Sequence, residues 1–160
     1  MTKGAAVVIG VGAQIGLGAA LCRRFASEGL HVLIAGRTPS KLEQVVTSIL
    51  AANGSAESVA MDTTNETDVV KLFDRAMAPA SSGEAADLIW LSGIHVAHVV
   101  IDGGIDGERL RSRRPEAVRE RGEDGLLNVD AIAETYWQIH RQARSAWTHE
   151  IDLRPFKEPF

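Results

Sequence analysis

The chain has 160 residues, of which 45% are hydrophobic and 24% charged, and its formal net charge is −4. This length suits a single domain, residues 1–160, with a core large enough to fold without disulfides. The negative charge argues against nucleic acid or an anionic membrane as the main partner. One cysteine, Cys22, excludes an internal disulfide and is typical of a reducing compartment. We therefore expect a cytoplasmic protein without a signal peptide or membrane-spanning segment.

The first half of the chain alternates short apolar runs with amphipathic segments. The runs predict strands at 5–9, 31–35 and 58–61. The amphipathic segments predict helices at 15–28, 40–52 and 66–78. In the third helix the predicted inward-facing residues are Val69, Val70, Leu72, Phe73 and Met77. Strands that alternate with helices are typical of an α/β fold with a doubly wound, mostly parallel sheet.

The pattern changes after residue 78. Residues 79–86 have the composition of a linker, and two apolar runs follow at 87–91 and 94–101, separated by only Ser92 and Gly93. A parallel neighbour needs a crossover of about a dozen residues or more. Either the two runs form an antiparallel hairpin, or the first belongs to a helix or loop that leads into one strand.

The last third is polar at first and then regular. Residues 106–125 carry six arginines and six carboxylates, so the favoured interpretation is a mobile, solvated loop rather than an anion site at Arg111, Arg113 and Arg114. A last helix is predicted from about 129 to 142, with Asn128 or Asp130 as its cap. A closing edge strand is predicted at 147–153, ended by Pro155.

A glycine-rich turn, GVGAQIGLG, joins the first strand to the first helix at residues 10–18. Gly12, Gly16 and Gly18 allow a tight turn, close approach of a phosphate and close contact between helix and strand. The helix N-terminus offers free N–H groups to a pyrophosphate. In this strand–turn–helix setting the spacing strongly indicates a dinucleotide site, and we include Gln14 and Ile15 in it.

The end of the second strand indicates which dinucleotide is bound. An NAD-binding unit places Asp or Glu about 20 residues after the turn to hold the ribose 2′-hydroxyl. Here the segment is AGRT, residues 35–38, which has no carboxylate. The guanidinium of Arg37, with Thr38 beside it, suits a 2′-phosphate and therefore favours NADP(H).

Asp62 and Thr63 follow the third strand in the segment MDTT. Asp62 is placed to meet the adenine amino group of a dinucleotide. It is equally suited to capping the turn that follows it. We include both residues in the predicted cofactor site and leave the two interpretations of Asp62 open.

With these motifs the chain resembles the short-chain dehydrogenase/reductase family, whose Rossmann-like fold and nicotinamide cofactor become expectations. The turn resembles the family's Gly-x-x-x-Gly-x-Gly, AGR its NADP-type strand end, and MDTT its adenine-contact segment, so the first match covers residues 5–78. A second match covers about 94–154, where IHVAHVVIDGGI resembles the late strand and cofactor-contacting loop. The resemblance implies that the backbone near Ile105 touches the nicotinamide end.

The middle of the family pattern is missing. The family normally carries an Asn-Asn-Ala-Gly strand end, a catalytic serine and a Tyr-x-x-x-Lys helix. The chain has no Asn-Asn pair, since its asparagines are at 53, 65 and 128, and its lysines are at 3, 41, 71 and 157. The only tyrosine, Tyr136, is followed four residues later by His140 instead of lysine. We therefore expect a Rossmann-like fold reduced by about two central βα units. Tyr136 and His140 lie on the apolar stripe of the last helix, which favours a packing role, and a phenol with a pKa near 10 is a poor base.

Other polar residues give weaker indications. His95 and His98 are three residues apart on a predicted strand, so they point to opposite faces and cannot share a metal ion. Ser92, Asp102 and Asp106 are best explained as turn and loop residues. We assign no catalytic residue and no metal ligand.

Three functions follow from this pattern. The first is an NADP(H)-binding protein that has lost classical hydride transfer. The second is an active NADP(H)-dependent oxidoreductase of a small carbonyl or alcohol, with substitute residues or a site shared between subunits. The third is a non-enzymatic interaction protein. Without the missing helices, residues 88–90 and 94–101 would expose apolar surface, so we expect a homodimer or homotetramer.

Overall fold

The computed structural model of the protein describes residues 4–77 and 95–157. Its strands are β1 (Ala5–Ile9), β2 (His31–Gly36), β3 (Ser55–Ala60), β4 (His98–Ile101), β5 (Ile105–Asp106), β6 (Leu127–Asn128) and β7 (Glu150–Leu153). Its helices are α1 (Leu17–Ser27), α2 (Pro39–Ala51), α3 (Glu66–Met77), α4 (Glu108–Arg113), α5 (Pro115–Arg121) and α6 (Val129–His140), with a short 3-10 turn at Arg144–Ala146. The alternatives for residues 79–93, Ser92 included, lie outside the described residues.

All described strand pairs are parallel, which confirms the predicted α/β class. The order of the largest sheet is β1-β2-β3, with Val7 opposite Leu33 and Leu33 opposite Glu57. The other described strands form two separate ladders, β4 with β7 and β5 with β6, instead of extending this sheet.

The core lies on both faces of β2. Successive side chains of a strand point to opposite faces. Val32 and Ile34 pack with α1 and α2, whereas Leu33 packs with Leu72 of α3. Burial on both faces explains the continuous apolar run of this strand. Cys22 is fully buried with Val32 and Ile34, as predicted, and desolvation raises the pKa of its thiol to about 12.

Strand β3 begins three residues earlier than predicted, at Ser55 instead of residue 58. Its polar start, SAES, hid the strand because no apolar alternation marks it. In the structure these polar side chains have partners on neighbouring elements. His31 Nδ1 lies 2.6 Å from Ser55 Oγ, and Glu57 accepts a 2.7 Å hydrogen bond from Nε of Arg75.

The predicted inward face of α3 is partly wrong. Leu72 is buried and Val69 is half-buried, but Val70, Phe73 and Met77 are 51%, 47% and 53% exposed. These three residues follow helical spacing and form one apolar strip, which we call the α3 stripe. The helix meets the sheet through the face that carries Leu72, so the stripe is turned away from the described core.

The predicted loop at 106–125 is also wrong, because α4 and α5 occupy most of it. The charges that balance overall form local pairs, among them a two-pronged bond from Arg111 to Asp106, at 2.6 and 2.7 Å. Pro115 occupies the start of α5, where its missing N–H costs nothing. Gly122, with φ of 63°, ends that helix.

Helix α6 packs against α1. Its predicted cap is confirmed, since Asn128 Oδ1 accepts hydrogen bonds from the N–H groups of Asp130 and Ala131 at 2.8 and 3.1 Å. Phe25 meets Trp137 edge-on with ring centroids 5.5 Å apart.

The predicted stripe of α6 is only partly correct. The buried residues of α6 are Val129, Ile132, Ala133, Trp137 and Ile139. Tyr136 and His140, which were predicted to lie on the apolar stripe, are half-buried and exposed. Beyond α6, the closing strand is shorter than predicted and pairs with β4. No helix within residues 4–77 and 95–157 is long and apolar enough to cross a membrane.

Candidate cofactor-binding site

The glycine turn lies where β1, β2 and α1 meet. Gly10 has φ of 85°, which lets the chain turn sharply out of β1. The N–H groups of Gly10 and Val11 both donate to the carbonyl of Ala35 in β2, at 3.0 and 3.1 Å. Gly16 stands before the first residue of α1, and its carbonyl accepts the N–H of Ala20 at 3.0 Å. The turn is thereby fixed to the carboxyl end of the sheet.

The three predicted glycines have different surroundings. A Cβ on Gly18 would lie 3.2 Å from Cα of Val11, and one on Gly16 would lie 3.1 Å from the carbonyl oxygen of Ala13. A Cβ on Gly12 would meet no atom within 4 Å. Gly18 therefore serves close packing of α1 on the glycine turn, whereas Gly12 borders open space.

The turn presents backbone N–H groups that could hold a diphosphate. Among the described residues, the N–H groups of Gly12 through Gly16 donate to no other backbone carbonyl. They stand at the N-terminus of α1, whose dipole favours a negative charge. Donors without internal partners, beside open space at Gly12, are what a bound phosphate requires.

Gly36 is a constraint that the sequence analysis missed. A Cβ at this position would lie 2.5 Å from the carbonyl oxygen of Val11 and 3.2 Å from Cδ2 of Leu42. The end of β2 therefore comes so close to the glycine turn that only glycine fits. The available signal was the place of Gly36 in AGR, directly before Arg37.

Arg37 and Asp62 come together at the carboxyl ends of β2 and β3. Both side chains are exposed. Hydrogen bonds from the N–H and hydroxyl of Thr64, at 3.0 and 2.9 Å, lower the pKa of the Asp62 carboxyl, and the charge of Arg37 lowers it further. The turn-capping interpretation of Asp62 is therefore realised in this structure. Thr38 precedes α2, without a side-chain capping bond, and Thr63 is exposed beside Asp62.

The segment after Ile105 reaches the glycine turn. The N–H of Glu108 donates to the carbonyl of Ile15 at 2.8 Å, and the N–H of Gly107 donates to that of Ile105 at 2.8 Å. The side chain of Ile105 packs against Ala20, Val129 and Ala133. The structure thus brings the backbone near Ile105 beside the turn, while the Ile105 side chain serves packing.

The other residues considered for proton transfer form ion pairs or ring contacts. Asp102 forms an ion pair with Arg154, and Asp106 with Arg111. Tyr136 is half-buried on α6, and the ring of His140 lies against those of Phe25 and Trp137 at 5.7 and 5.2 Å. These positions serve packing and charge pairing in the described part of the chain.

The two histidines lie in different settings. His95 precedes β4, so the prediction that both are on one strand is wrong. Its Nε2 lies 2.7 Å from the carbonyl oxygen of Thr148, and its ring stacks on Trp147 at 4.7 Å. His98 Nδ1 lies 3.2 Å from Glu150. Within the residues that the structure describes, no three His, Cys, Asp or Glu side chains are grouped to hold a metal ion.

Comparison with curated proteins gives two partial relatives. The chain is 40% identical over 72 residues to the uncharacterized oxidoreductase YuxG of Bacillus subtilis, covering 44% of this chain and 10% of that protein. It is 37% identical over 98 residues to 3beta-hydroxysteroid dehydrogenase 1 of Eggerthella lenta, covering 59% and 36%. The matches thus span only about a tenth and about a third of these relatives' lengths.

Solved structures show the same fold. A dehydrogenase/reductase from Sinorhizobium meliloti superposes with a TM-score of 0.67 at 15% identity, over 95% of this chain and 94% of the other. A metagenomic short-chain oxidoreductase in complex with NADP superposes with a TM-score of 0.61 at 21% identity, over 97% and 98%. At these identities the likeness shows a Rossmann-like fold alone.

Sequence family comparison confirms the resemblance carried by the motifs. The family model described as short chain dehydrogenase matches residues 6–94, which include the glycine turn, Arg37 and Asp62. A short, reduced form of the fold is consistent with the 160-residue length and partial coverage of the relatives. Since the match spans more than half of it, the chain belongs to the short-chain dehydrogenase family.

Proposed function

We propose that this protein binds NADP(H) at the glycine turn and has lost the classical hydride transfer of its family. The observation that carries the proposal is the position of Arg37 at the end of β2, beside the turn and in place of a carboxylate. A bound nicotinamide dinucleotide would supply the hydride chemistry itself. The chain's own residues would bind and orient it.

Different residues would bind the diphosphate and the 2′-phosphate of the dinucleotide. N–H groups of the turn would hold the diphosphate, and the exposed guanidinium of Arg37 would grip the 2′-phosphate through paired hydrogen bonds. Asp62 lies near Arg37 and would meet the adenine amino group. The NADP complex of the metagenomic oxidoreductase, a protein of the same fold, also supports this cofactor.

The loss of chemistry is inferred from the residues that would move a proton. The family's tyrosine works with a lysine four positions later, but residue 140 is histidine and no lysine lies between 71 and 157. Asp102 and Asp106 are held in ion pairs. An unassisted phenol keeps a pKa near 10 and is a poor base at neutral pH.

Calorimetric titration with NADPH and NADH, followed by a carbonyl-turnover assay on the same sample, tests the proposal. We expect binding of NADPH, weaker binding of NADH and no turnover. Turnover would favour an active oxidoreductase that uses substitute residues or a site shared between subunits, with Ser92 and Asp102 as the next targets. Absence of binding would overturn the proposal and favour an interaction protein.

We also propose that the protein forms a homodimer or homotetramer. The α3 stripe supports this because contiguous apolar surface is rarely left open on a monomer, and Val96 is a further apolar side chain that is 73% exposed. The expectation first depended on residues 88–90, which lie outside the described residues, and on 94–101, where Val96 is exposed but Val99, Val100 and Ile101 are half-buried.

A further inference from the structure

We propose that Arg23 is a positioning residue that orients the glycine turn for the cofactor, an inference that rests on the proposed function. Arg23 is on α1, and its Nη1 donates to the carbonyl oxygen of Gln14 at 3.0 Å, nine residues back along the chain. The next carbonyl, that of Ile15, accepts the N–H of Glu108 at 2.8 Å. Two successive carbonyls of the turn are thus held by donors outside it.

The peptide bond is planar and trans, so a carbonyl and the N–H of the following residue point in opposite directions. Holding the Gln14 carbonyl toward Arg23 directs the N–H of Ile15 the other way. Holding the Ile15 carbonyl toward Glu108 does the same for the N–H of Gly16. A phosphate is attracted by N–H groups and repelled by carbonyl oxygens, so both bonds favour anion binding.

The second contact of Arg23 is weak. Its Nη2 lies 3.9 Å from Oδ1 of Asp130, whose side chain is 75% exposed. Exposed pairs of this kind contribute little to stability. Removal of the Arg23 side chain should therefore change the turn much more than the attachment of α6.

The neighbouring Arg24 is a matched control. It donates to Glu134 at 2.7 Å and pairs with Glu28, so its contacts link α1 to α6. It also lies over the ring of Trp137, 5.3 Å from the centroid. Substitution of Arg23 therefore tests the orientation of the turn, and substitution of Arg24 tests the packing of α1 against α6.

The experiment titrates NADPH and NADH into the wild type and the variants Arg23→Met, Arg23→Lys and Arg24→Met, and measures urea unfolding of each. Loss of one exposed hydrogen bond predicts about fivefold to tenfold weaker binding by Arg23→Met, with an unchanged urea midpoint. Both dinucleotides share the diphosphate, so their affinity ratio should stay constant. Arg23→Lys should restore part of the binding.

Arg24→Met should show the reverse, with a lower urea midpoint and wild-type affinity. In the cofactor-free protein, Arg23→Met should shift the amide resonances of Ile15 and Gly16, and Arg24→Met should not. Wild-type affinity in Arg23→Met, or equal losses of affinity in both methionine variants, would overturn the inference alone. A wild type that binds neither dinucleotide would overturn it together with the proposed function.

Discussion

Gly36 is the tightest single-residue constraint at the candidate site. Gly36→Ala should lower the free energy of unfolding by about 1–3 kcal/mol, because its Cβ would lie 2.5 Å from the carbonyl oxygen of Val11. Urea unfolding measures the loss. Gly12→Ala is the matched control and should unfold at the wild-type midpoint, since a Cβ there meets nothing within 4 Å. Equal midpoints for Gly36→Ala and the wild type would show that the two backbones are less close than described.

For individual residues, the sequence predicted the motif positions but not the contacts that fix them in place. The turn glycines, Arg37 and Asp62 are recognisable because their spacing follows from the strand–turn–helix unit. Gly36 and Arg23 were missed because their constraints are contacts with residues distant along the chain or with the turn's backbone, which spacing does not encode. Their roles can be inferred only from the three-dimensional positions of the carbonyl groups of Val11 and Gln14.

Among the elements, an ion pair links β3 to α3. Hydrogen bonding from Arg75 chiefly, then the charges of Arg75 and His31, lowers the pKa of Glu57 below its ordinary value of 4.5. A lowered folded-state pKa means that the stabilisation is complete above the unfolded pKa and is lost as pH falls through the folded one. Glu57→Gln should therefore lower stability at neutral pH and reduce the fall in stability below about pH 4.5.

Urea midpoints of the wild type and Glu57→Gln, measured from neutral pH to about pH 3, test this linkage. Glu43→Gln on α2 is the control, because glutamine can still accept the hydrogen bond from Ser58. Parallel pH curves for the wild type and Glu57→Gln would show that this pair does not govern acid sensitivity.

Elements with clear ends were predictable, and those without an apolar stripe were not. Gly29 and Pro39 mark the end of α1 and the start of α2 in the sequence itself. Helices α4 and α5 bury no residue, so no hydrophobic periodicity marks them. Pro115 and Gly122 could have indicated the start and the end of α5. The balanced charge of the segment favoured a solvated loop instead.

For the whole molecule, exposed apolar surface predicts self-association. Light scattering at micromolar concentration should give the mass of a dimer or tetramer, because association would cover the α3 stripe. Phe73→Lys should shift the protein toward monomer, whereas Lys71→Ala, on the same helix, should not. A monomeric wild type would contradict the proposal.

The fold class followed from alternation of strands and helices, but the strand pairing did not. Residue His98 of β4 stands opposite Glu150 of β7. Local pattern cannot specify a partner so far along the chain. Nor could it show that the described strands form three separate ladders, since that depends on which neighbours are present.

The most direct test of the central claim is calorimetric titration of NADPH and NADH into the wild type and Arg37→Met. The wild type should prefer NADPH, and Arg37→Met should lose about tenfold or more of NADPH affinity while NADH affinity stays unchanged, since only NADPH carries the 2′-phosphate. Equal affinities for the two dinucleotides in the wild type, unchanged by the substitution, would contradict the assignment of Arg37 and of NADP(H).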